Sequence, residues 1–220
     1  ATFSSVKLIM DAANYYNPLG SGPGRLSGPG LDDAMSGVPA EGLDLIIDNY
    51  RFGQVPRIVN NDGDMFRLLQ GFRGSQGDWD WETAVSYAKA TKDDITNNRV
   101  SNTLAQEALN DTTANAFNPL DPTYEGSNIE RILIDVYRKS ETELTTFDFK
   151  VSNNALFDLG SRSVGGLVGV EWREESYSDD RDPRLDGTII FTDYQGDTYP
   201  YVSDVANSSP TGDSAGSRTV

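Results

Sequence analysis

Four segments of this chain alternate between apolar and polar residues, and this pattern constrains the fold more than any other feature. The two clearest are residues 147–152, Phe-Asp-Phe-Lys-Val-Ser, and residues 168–174, Val-Gly-Val-Glu-Trp-Arg-Glu. Because successive side chains of a β-strand point to opposite faces, each segment predicts a strand with one apolar and one charged face. Both a soluble sheet with one buried face and a membrane strand between lipid and water have this pattern.

The same pattern along the whole chain predicts five strands and the beginning of a sixth. These strands are expected at residues 2–10, 57–75, 79–92, about 131–152, 164–178 and from 217 onwards. Tight turns are expected at 75–78 and between Asn153-Asn154 and Gly160. Short turns therefore alternate with long connections, which are residues 11–56, 93–130 and 179–217.

Smaller elements are expected inside the long connections and within one strand. The connections are predicted to contain a short strand at 43–48, a short amphipathic helix near 104–109 and a hairpin around 189–191. In the strand at about 131–152, the apolar residues change parity between Val136 and Phe147. This change predicts a bulge or a slip in register.

The composition excludes several classes of function. The chain has no Cys and no His, so it contains no disulfide, thiol nucleophile, Ser-His-Asp triad or His-ligated zinc. Its net charge of −16 would repel a phosphate backbone, so nucleic acid is not an expected partner. No apolar stretch approaches the 18 residues of a transmembrane helix.

An enzyme is not expected, because the carboxylates that suggest one are badly placed. Glu174 and Glu175 are neighbours in a predicted strand and would point to opposite faces. Glu171 and Glu175 share a face but would lie roughly 13 Å apart, too far for a glycosidase pair. The Gly-Pro segments within residues 20–30 are not followed by the Gly-Lys-Ser/Thr of a phosphate loop.

A series of short motifs, taken in order and spacing, resembles one known family. An aromatic-Asn-Pro-Leu motif occurs twice, as Tyr16-Asn17-Pro18-Leu19-Gly20 and as Phe117-Asn118-Pro119-Leu120. A hairpin carries Phe72-Arg73-Gly74, Asp78-Trp79-Asp80-Trp81 and Ser86-Tyr87. A strand motif, Gly169-Val170-Glu171-Trp172-Arg173-Glu174-Glu175-Ser176-Tyr177, is followed by Asp182-Pro183 and by Tyr199-Pro200-Tyr201-Val202-Ser203-Asp204. Together these motifs resemble the β-barrel of TonB-dependent outer-membrane receptors.

The resemblance implies an all-β fold, in which antiparallel strands of a transmembrane β-barrel carry long extracellular loops. Members of that family close a barrel of 22 strands around an N-terminal plug, and neither a plug nor a TonB box is recognisable here. Residues 1–220 are therefore expected to be an internal segment of a larger barrel, because five or six strands cannot close one.

The resemblance also implies a place and a function. The expected location is the outer membrane of a Gram-negative bacterium, in contact with its lipid and lipopolysaccharide. The expected function is energy-coupled uptake of a scarce nutrient such as a siderophore, vitamin or oligosaccharide. The TonB complex would act through parts of the parent protein outside this chain.

Three sets of candidate site residues follow. The charges expected to face the lumen, where they would line the substrate path, contact the plug or only pair across strands, are Arg67, Arg73, Glu82, Asp148, Lys150, Glu171 and Arg173. The loop aromatics expected either to stack on a ligand or to pack the loops together are Tyr15, Tyr16, Tyr50, Phe117, Tyr194, Tyr199 and Tyr201. No resident cofactor is expected, apart from weak candidates for Ca²⁺ ligands, which are Asp179, Asp180, Asp182 and the segment 60–64.

A second reading of the sequence is a soluble, secreted, acidic all-β module that binds carbohydrate and depends on Ca²⁺. The two readings differ in what happens to Val168, Val170 and Trp172. A soluble sandwich buries these side chains against a second sheet. A membrane strand leaves them facing outwards without a protein partner.

Overall fold

The computed structural model describes residues 6–200 and 202–220, which fall into two compact units. Unit 1 contains the chain up to Asn60 together with Ile95–Tyr137 and Arg181–Gly212. Unit 2 contains Asn61–Asp94, Arg138–Asp180 and Asp213–Val220. The structure is mostly antiparallel β-sheet, with 52% strand and 11% helix, which confirms the all-β class.

The elements follow one another along the chain as long strands separated by loops with short elements of their own. The strands are β1 (Val6–Met10), β2 (Leu45–Tyr50), β3 (Ile58–Gln76), β4 (Trp79–Val100), β5 (Leu133–Leu159), β6 (Arg162–Arg181), β7 (Phe191–Thr192), β8 (Thr198–Tyr199) and β9 (Ser214–Thr219). The helices are α1 (Asp32–Met35), α2 (Asn102–Leu109), α3 (Tyr124–Ser127) and α4 (Pro183–Asp186), with a 3-10 helix at Ile129–Ile132.

The main sheet has the strand order β3-β4-β5-β6-β9, so neighbours in the sheet are also successive long strands of the chain. Two-residue turns join β3 to β4 and β5 to β6. The first residues of these turns, Gly77 and Gly160, have φ of 62° and 65°, which glycine adopts without strain. Long connections join β4 to β5 and β6 to β9, as the sequence predicts. Within the described residues β3 and β9 are free edges, and the sheet does not close into a barrel.

Unit 1 is built around a small hydrophobic core. The antiparallel pair β1–β2 packs beside α2. Ser101 is the N-cap of α2, and its hydroxyl accepts a hydrogen bond from the amide of Leu104 at 3.1 Å. The core combines residues from β1, the end of β4, α2 and the loop after it: Leu8, Met10, Val100, Ala105, Ala108, Leu109, Phe117, Ile129 and Ile132. The predicted helix near 104–109 is confirmed and provides three of these residues.

Several predicted boundaries differ from the structure. The first strand, of which residues 2–5 lie outside the described part, pairs with β2 in a separate sheet. Strand β4 continues to Val100, eight residues beyond its predicted end. The hairpin expected around 189–191 pairs Phe191 with Tyr199, and the last strand begins at Ser214.

The turn predicted between Asn153-Asn154 and Gly160 is confirmed only at Gly160, because β5 runs through both asparagines and ends at Leu159. The Asn153 side chain is buried, and its oxygen accepts a hydrogen bond from the amide of Ala155 at 2.7 Å. This local bond is the one that makes Asn common in turns, and here it forms within a strand.

The change of apolar parity along β5 coincides with the boundary between the two units. Val136 is buried in unit 1, whereas Phe147 and Phe149 are exposed in unit 2. One strand therefore passes through two different environments, and the bulge or slip in register stays a prediction.

Candidate functional site

The strands of unit 2 have two chemically distinct faces, and side-chain contacts show which residues share a face. The Phe66 and Tyr87 rings lie 5.6 Å apart, and the Tyr87 hydroxyl donates to Glu143 Oε1 at 2.9 Å. A Cβ on Gly169 would lie 3.4 Å from the Cβ of Lys150, which places Gly169 on the opposite face. Because side chains alternate, one face carries Phe66, Leu68, Phe72, Trp79, Trp81, Val85, Phe147, Phe149, Val168, Val170 and Trp172. We call these eleven residues the apolar face.

The apolar face is exposed. Phe147, Phe149, Val168, Val170 and Trp172 each retain between 37% and 69% of their accessible surface. Every apolar side chain that is buried in the described part of the chain belongs to unit 1. No second layer therefore covers this face within the described residues.

The opposite face of unit 2 carries the predicted charges. Lys150 Nζ lies 3.1 Å from Glu82 Oε2, Ser86 and Thr146 share a hydrogen bond of 2.6 Å, and Ser75 donates to Asp80 at 2.5 Å. By alternation along each strand, this face carries all seven predicted charges, Arg67, Arg73, Glu82, Asp148, Lys150, Glu171 and Arg173. We call it the charged face.

Some of these charges form ion pairs, either between neighbouring strands or along a single strand. Glu82 pairs with Lys150, and Arg173 pairs with Glu175 of the same strand. The Glu82 and Lys150 side chains are about half exposed, so this pair contributes only about 0.2–1 kcal/mol. The cross-strand pairing expected from the sequence is present between Glu82 and Lys150, whereas the Arg173 pair lies within one strand.

An apolar cavity that the sequence did not predict interrupts the charged face. Its volume is about 540 Å³, and its lining includes Met65, Ala88, Leu144 and Tyr177. A Cβ on Gly216 would lie 2.9 Å from the Tyr177 ring, so the ring lies across that glycine. The lining residues come from several strands, and no local pattern marks them in the sequence.

Two of the seven loop aromatics belong to the core of unit 1. Phe117 is fully buried, and the Tyr50 ring lies 6.2 Å from it in an edge-to-face arrangement. Burial raises the pKa of Tyr50, although the Gln54 amide donates to its hydroxyl at 2.6 Å and opposes the shift. Packing accounts for both residues, and Phe117 has no surface left for a ligand.

Three of the other five loop aromatics take part in two separate ring pairs. The Tyr15 and Tyr16 rings lie 4.9 Å apart, and the Tyr16 hydroxyl donates to the carbonyl of Ala114 at 2.8 Å. Tyr199 stacks on Phe191 at 6.0 Å and donates to Asp193 at 2.9 Å. Like Tyr199, Tyr194 is exposed. Tyr201 lies outside the described residues.

The repeated Asn-Pro-Leu motif forms the same turn twice. Asn17 Oδ1 accepts from the amide of Leu19 at 2.9 Å, and Asn118 Oδ1 accepts from the amide of Leu120 at 3.1 Å. In each case the Asn carbonyl also accepts from the amide three residues later. Asn17 is buried, and its Nδ2 donates to the carbonyl of Leu43 at 2.9 Å. The motif thus fixes loop conformation.

A buried carboxylate ties the last long loop to the start of α2. Asp204 is fully buried and accepts hydrogen bonds from Ser101 Oγ at 2.7 Å and from the Thr103 amide at 2.9 Å. It also forms an ion pair with Arg184. The sequence showed Asp204 only as the last residue of a loop motif and gave no sign of its burial.

The proposed Ca²⁺ ligands have other partners or point apart. Asp179 accepts from Arg138 Nε at 2.8 Å and from Nη2 at 3.0 Å, and Asp180, its neighbour in β6, points to the other face. Asp182 caps α4 by accepting from the Arg184 amide at 2.9 Å. Residues 60–64 lie in β3 and form no loop. Within the part of the chain described, no three acidic side chains are grouped to hold a metal ion.

None of the helices described is long and apolar enough to cross a membrane. Comparisons with protein-family models, with curated proteins and with solved structures found no match to this chain.

Proposed function

We propose that this chain is part of the β-barrel of an outer-membrane receptor of the TonB-dependent kind, which imports a scarce nutrient into a Gram-negative bacterium. The observation that carries the proposal is the exposed apolar face of unit 2, set against a charged face on the other side of the same strands. Lipid outside and a wet lumen inside is the environment that this division fits.

Burial energetics favour a lipid environment for the apolar face. Each large apolar side chain gains about 1.5–3 kcal/mol when it is removed from water. Eleven such residues on one face are far more than the scattered apolar residues of a soluble surface. A bilayer covers such a face without any protein layer.

Strand length is also consistent with a membrane span. A tilted transmembrane strand needs about 9–11 residues. The parts of β3 and β4 in unit 2, residues 61–76 and 79–94, and the longer part of β5 exceed that length. In this proposal unit 1 contains the extracellular loops, and the charged face and its cavity line the lumen.

The partners in this proposal are those that the resemblance implies. Outer-membrane lipid and lipopolysaccharide contact the apolar face, and a small nutrient contacts the loops and the lumen. The TonB complex engages parts of the parent protein outside this chain.

A matched pair of cysteine variants tests the proposal, since the chain has no Cys of its own. Val170→Cys lies on the apolar face and Glu171→Cys on the charged face, one residue apart in β6. In the full-length protein in outer membranes, a water-soluble maleimide is expected to label Glu171→Cys at least tenfold faster, because lipid shields the other thiol.

Equal labelling of the two thiols would contradict the proposal. So would recovery of the full-length protein in the aqueous fraction without detergent. Labelling of both variants after urea denaturation is the control for thiol reactivity.

The soluble carbohydrate-binding module has less support. It requires Val168, Val170 and Trp172 to be buried against a second sheet, and all three are exposed in unit 2. Among the residues described, the acidic groups also show no arrangement that would hold Ca²⁺.

A further inference from the structure

A short, well-defined turn in unit 1 lies against the end of β4. The amide of Ala206 donates to the carbonyl of Val100 at 2.8 Å, and the amide of Ser208 donates to the carbonyl of Val205 at 3.1 Å. Between them Asn207 has φ of 57°, a left-handed conformation that Asn tolerates better than most residues. The turn therefore holds the Ala206 carbonyl and the Ser208 hydroxyl in fixed positions.

This turn anchors one side of the Arg99 guanidinium. Arg99 Nη2 donates to the carbonyl of Ala206 at 2.9 Å and to Ser208 Oγ. Within the described residues, Nε and Nη1 of Arg99 form no hydrogen bond. Both atoms keep some solvent-accessible surface. These N–H groups are therefore not sealed from solvent, and they belong to a guanidinium that is held on its other side by the turn.

A second arginine adds positive charge. Asn98 has φ of 58°, and its Nδ2 donates to the carbonyl of Pro56 at 2.8 Å, so Arg57 lies beside the end of β4. Burial, together with the positive charge of Arg57, lowers the pKa of Arg99. No carboxylate in the described part of the chain forms an ion pair with either arginine.

What distinguishes these two arginines is that they lie near each other without an acidic partner among the described residues, although the net charge of the chain is −16. Their mutual repulsion is a cost that a bound anion would remove. Charge-assisted hydrogen bonds from arginine to carboxylate or phosphate are about twice as strong as neutral ones. The Ser208 hydroxyl accepts from Arg99 and keeps its own proton free to donate.

We infer that Arg99, Arg57 and Ser208 form a binding site for a small soluble oxyanion, the phosphate or carboxylate group of a free molecule. Arg99 supplies Nε and Nη1 as donors from a fixed position. Arg57 supplies an exposed second charge, and Ser208 adds a hydroxyl donor. The site depends only on unit 1 and is independent of whether unit 2 contacts lipid.

Calorimetric titration of the full-length protein tests this inference. Inorganic phosphate and acetate are titrated separately at constant ionic strength set with sodium chloride, so that only binding above chloride is detected. Saturable binding of at least one of the two is expected. The tighter of the two identifies whether the site prefers phosphate or carboxylate.

Variants assign the binding to this site. Arg99→Gln is expected to weaken affinity about tenfold or more, since it removes hydrogen bonds to a charged group. Arg57→Gln and Ser208→Ala are expected to weaken it by about threefold each. Arg162→Gln, which removes an exposed arginine at the turn between β5 and β6, is expected to leave affinity unchanged.

The inference fails if neither anion binds above chloride, or if Arg162→Gln weakens binding as much as Arg57→Gln does. Circular dichroism of each variant identifies any loss of folding. If Arg99→Gln does not fold, the two milder variants still decide the question, because both alter side chains without a role in the core.

Discussion

Asp204 shows how much a single buried side chain contributes to the loops of unit 1. It joins Ser101, Thr103 and Arg184, which are far apart in the sequence. A buried carboxylate is favourable only when its hydrogen bonds and charge are all compensated, as they are here.

Replacement of this carboxylate is expected to be strongly destabilising. Asp204→Ala would leave Arg184 without its acidic partner and the Thr103 amide without its acceptor, at a cost of about 3 kcal/mol. Chemical denaturation of the full-length protein measures the change. Asp33→Ala, which removes an exposed acidic side chain from α1, is the matched control. Equal denaturation midpoints for the two variants would show that the contacts of Asp204 contribute nothing to stability.

Asp111 is expected to make the loops sensitive to acid. The amide of Thr113, together with the Arg131 guanidinium, lowers the pKa of Asp111 below its ordinary value of 3.8. The folded state therefore binds a proton at this carboxyl less readily than the unfolded state does. The stabilisation is complete above the pKa of Asp111 in the unfolded state. It is lost as the pH falls through the pKa of Asp111 in the folded state.

Unfolding measured between pH 6 and pH 3 checks this expectation. Asp111→Asn removes the titrating group, and the loss of stability at the acid end of this range should become smaller. An unchanged pH dependence in this variant would rule out a contribution from Asp111. Asp33→Asn is the control, since it removes an exposed acidic side chain of α1.

Single residues also show where sequence reasoning reaches its limit. Phe117 and Tyr199 look alike as aromatic residues in polar loops. In the structure Phe117 is fully buried, and Tyr199 is exposed on a two-residue strand. Burial of a loop residue depends on segments distant in the chain, and no local pattern contains that information.

At the level of elements, the alternation of apolar and charged residues was the most informative part of the sequence. It predicted β3, β4, β5 and β6 because a period of two is unambiguous in strands of this length. Their ends were less well predicted. Strand β4 continues past its last apolar alternation as far as Val100, which enters the core of unit 1.

Tryptophan fluorescence reports on the apolar face, because all three tryptophans of the chain belong to it. Trp79, Trp81 and Trp172 should be quenched when the full-length protein is reconstituted in lipids with brominated acyl chains. Ordinary lipids of the same length are the reference. A Trp172→Phe variant separates the signal of β6 from that of β4. Quenching by aqueous iodide but not by brominated lipid would place these rings in water.

At the scale of the whole molecule, the sequence predicted the sheet but not the packed loops. The alternation of short and long connections follows from turn residues and strand patterns, both of which are local. The core of unit 1 instead brings together positions such as Asn14 and the carbonyl of Leu109, joined by a hydrogen bond of 2.8 Å across 95 residues. Such pairings depend on the completed fold.

The charge balance also differs between the whole chain and its parts. The net charge of −16 is a sum over the whole chain. It does not describe the surface of unit 1 near Arg57 and Arg99, where two positive charges lie close together. The overall composition argues against a polyanionic partner such as nucleic acid, and this stays a prediction. A small anion requires only a local excess of positive charge.

The free edge of β3 has a consequence for how the molecule must be assembled. This strand is 19 residues long, and one row of its peptide groups faces no partner within the described sheet. Unsatisfied amides and carbonyls in such a row are a template for any extended peptide that comes near. Newly made chains are therefore expected to associate through this row wherever no other strand or chaperone covers it.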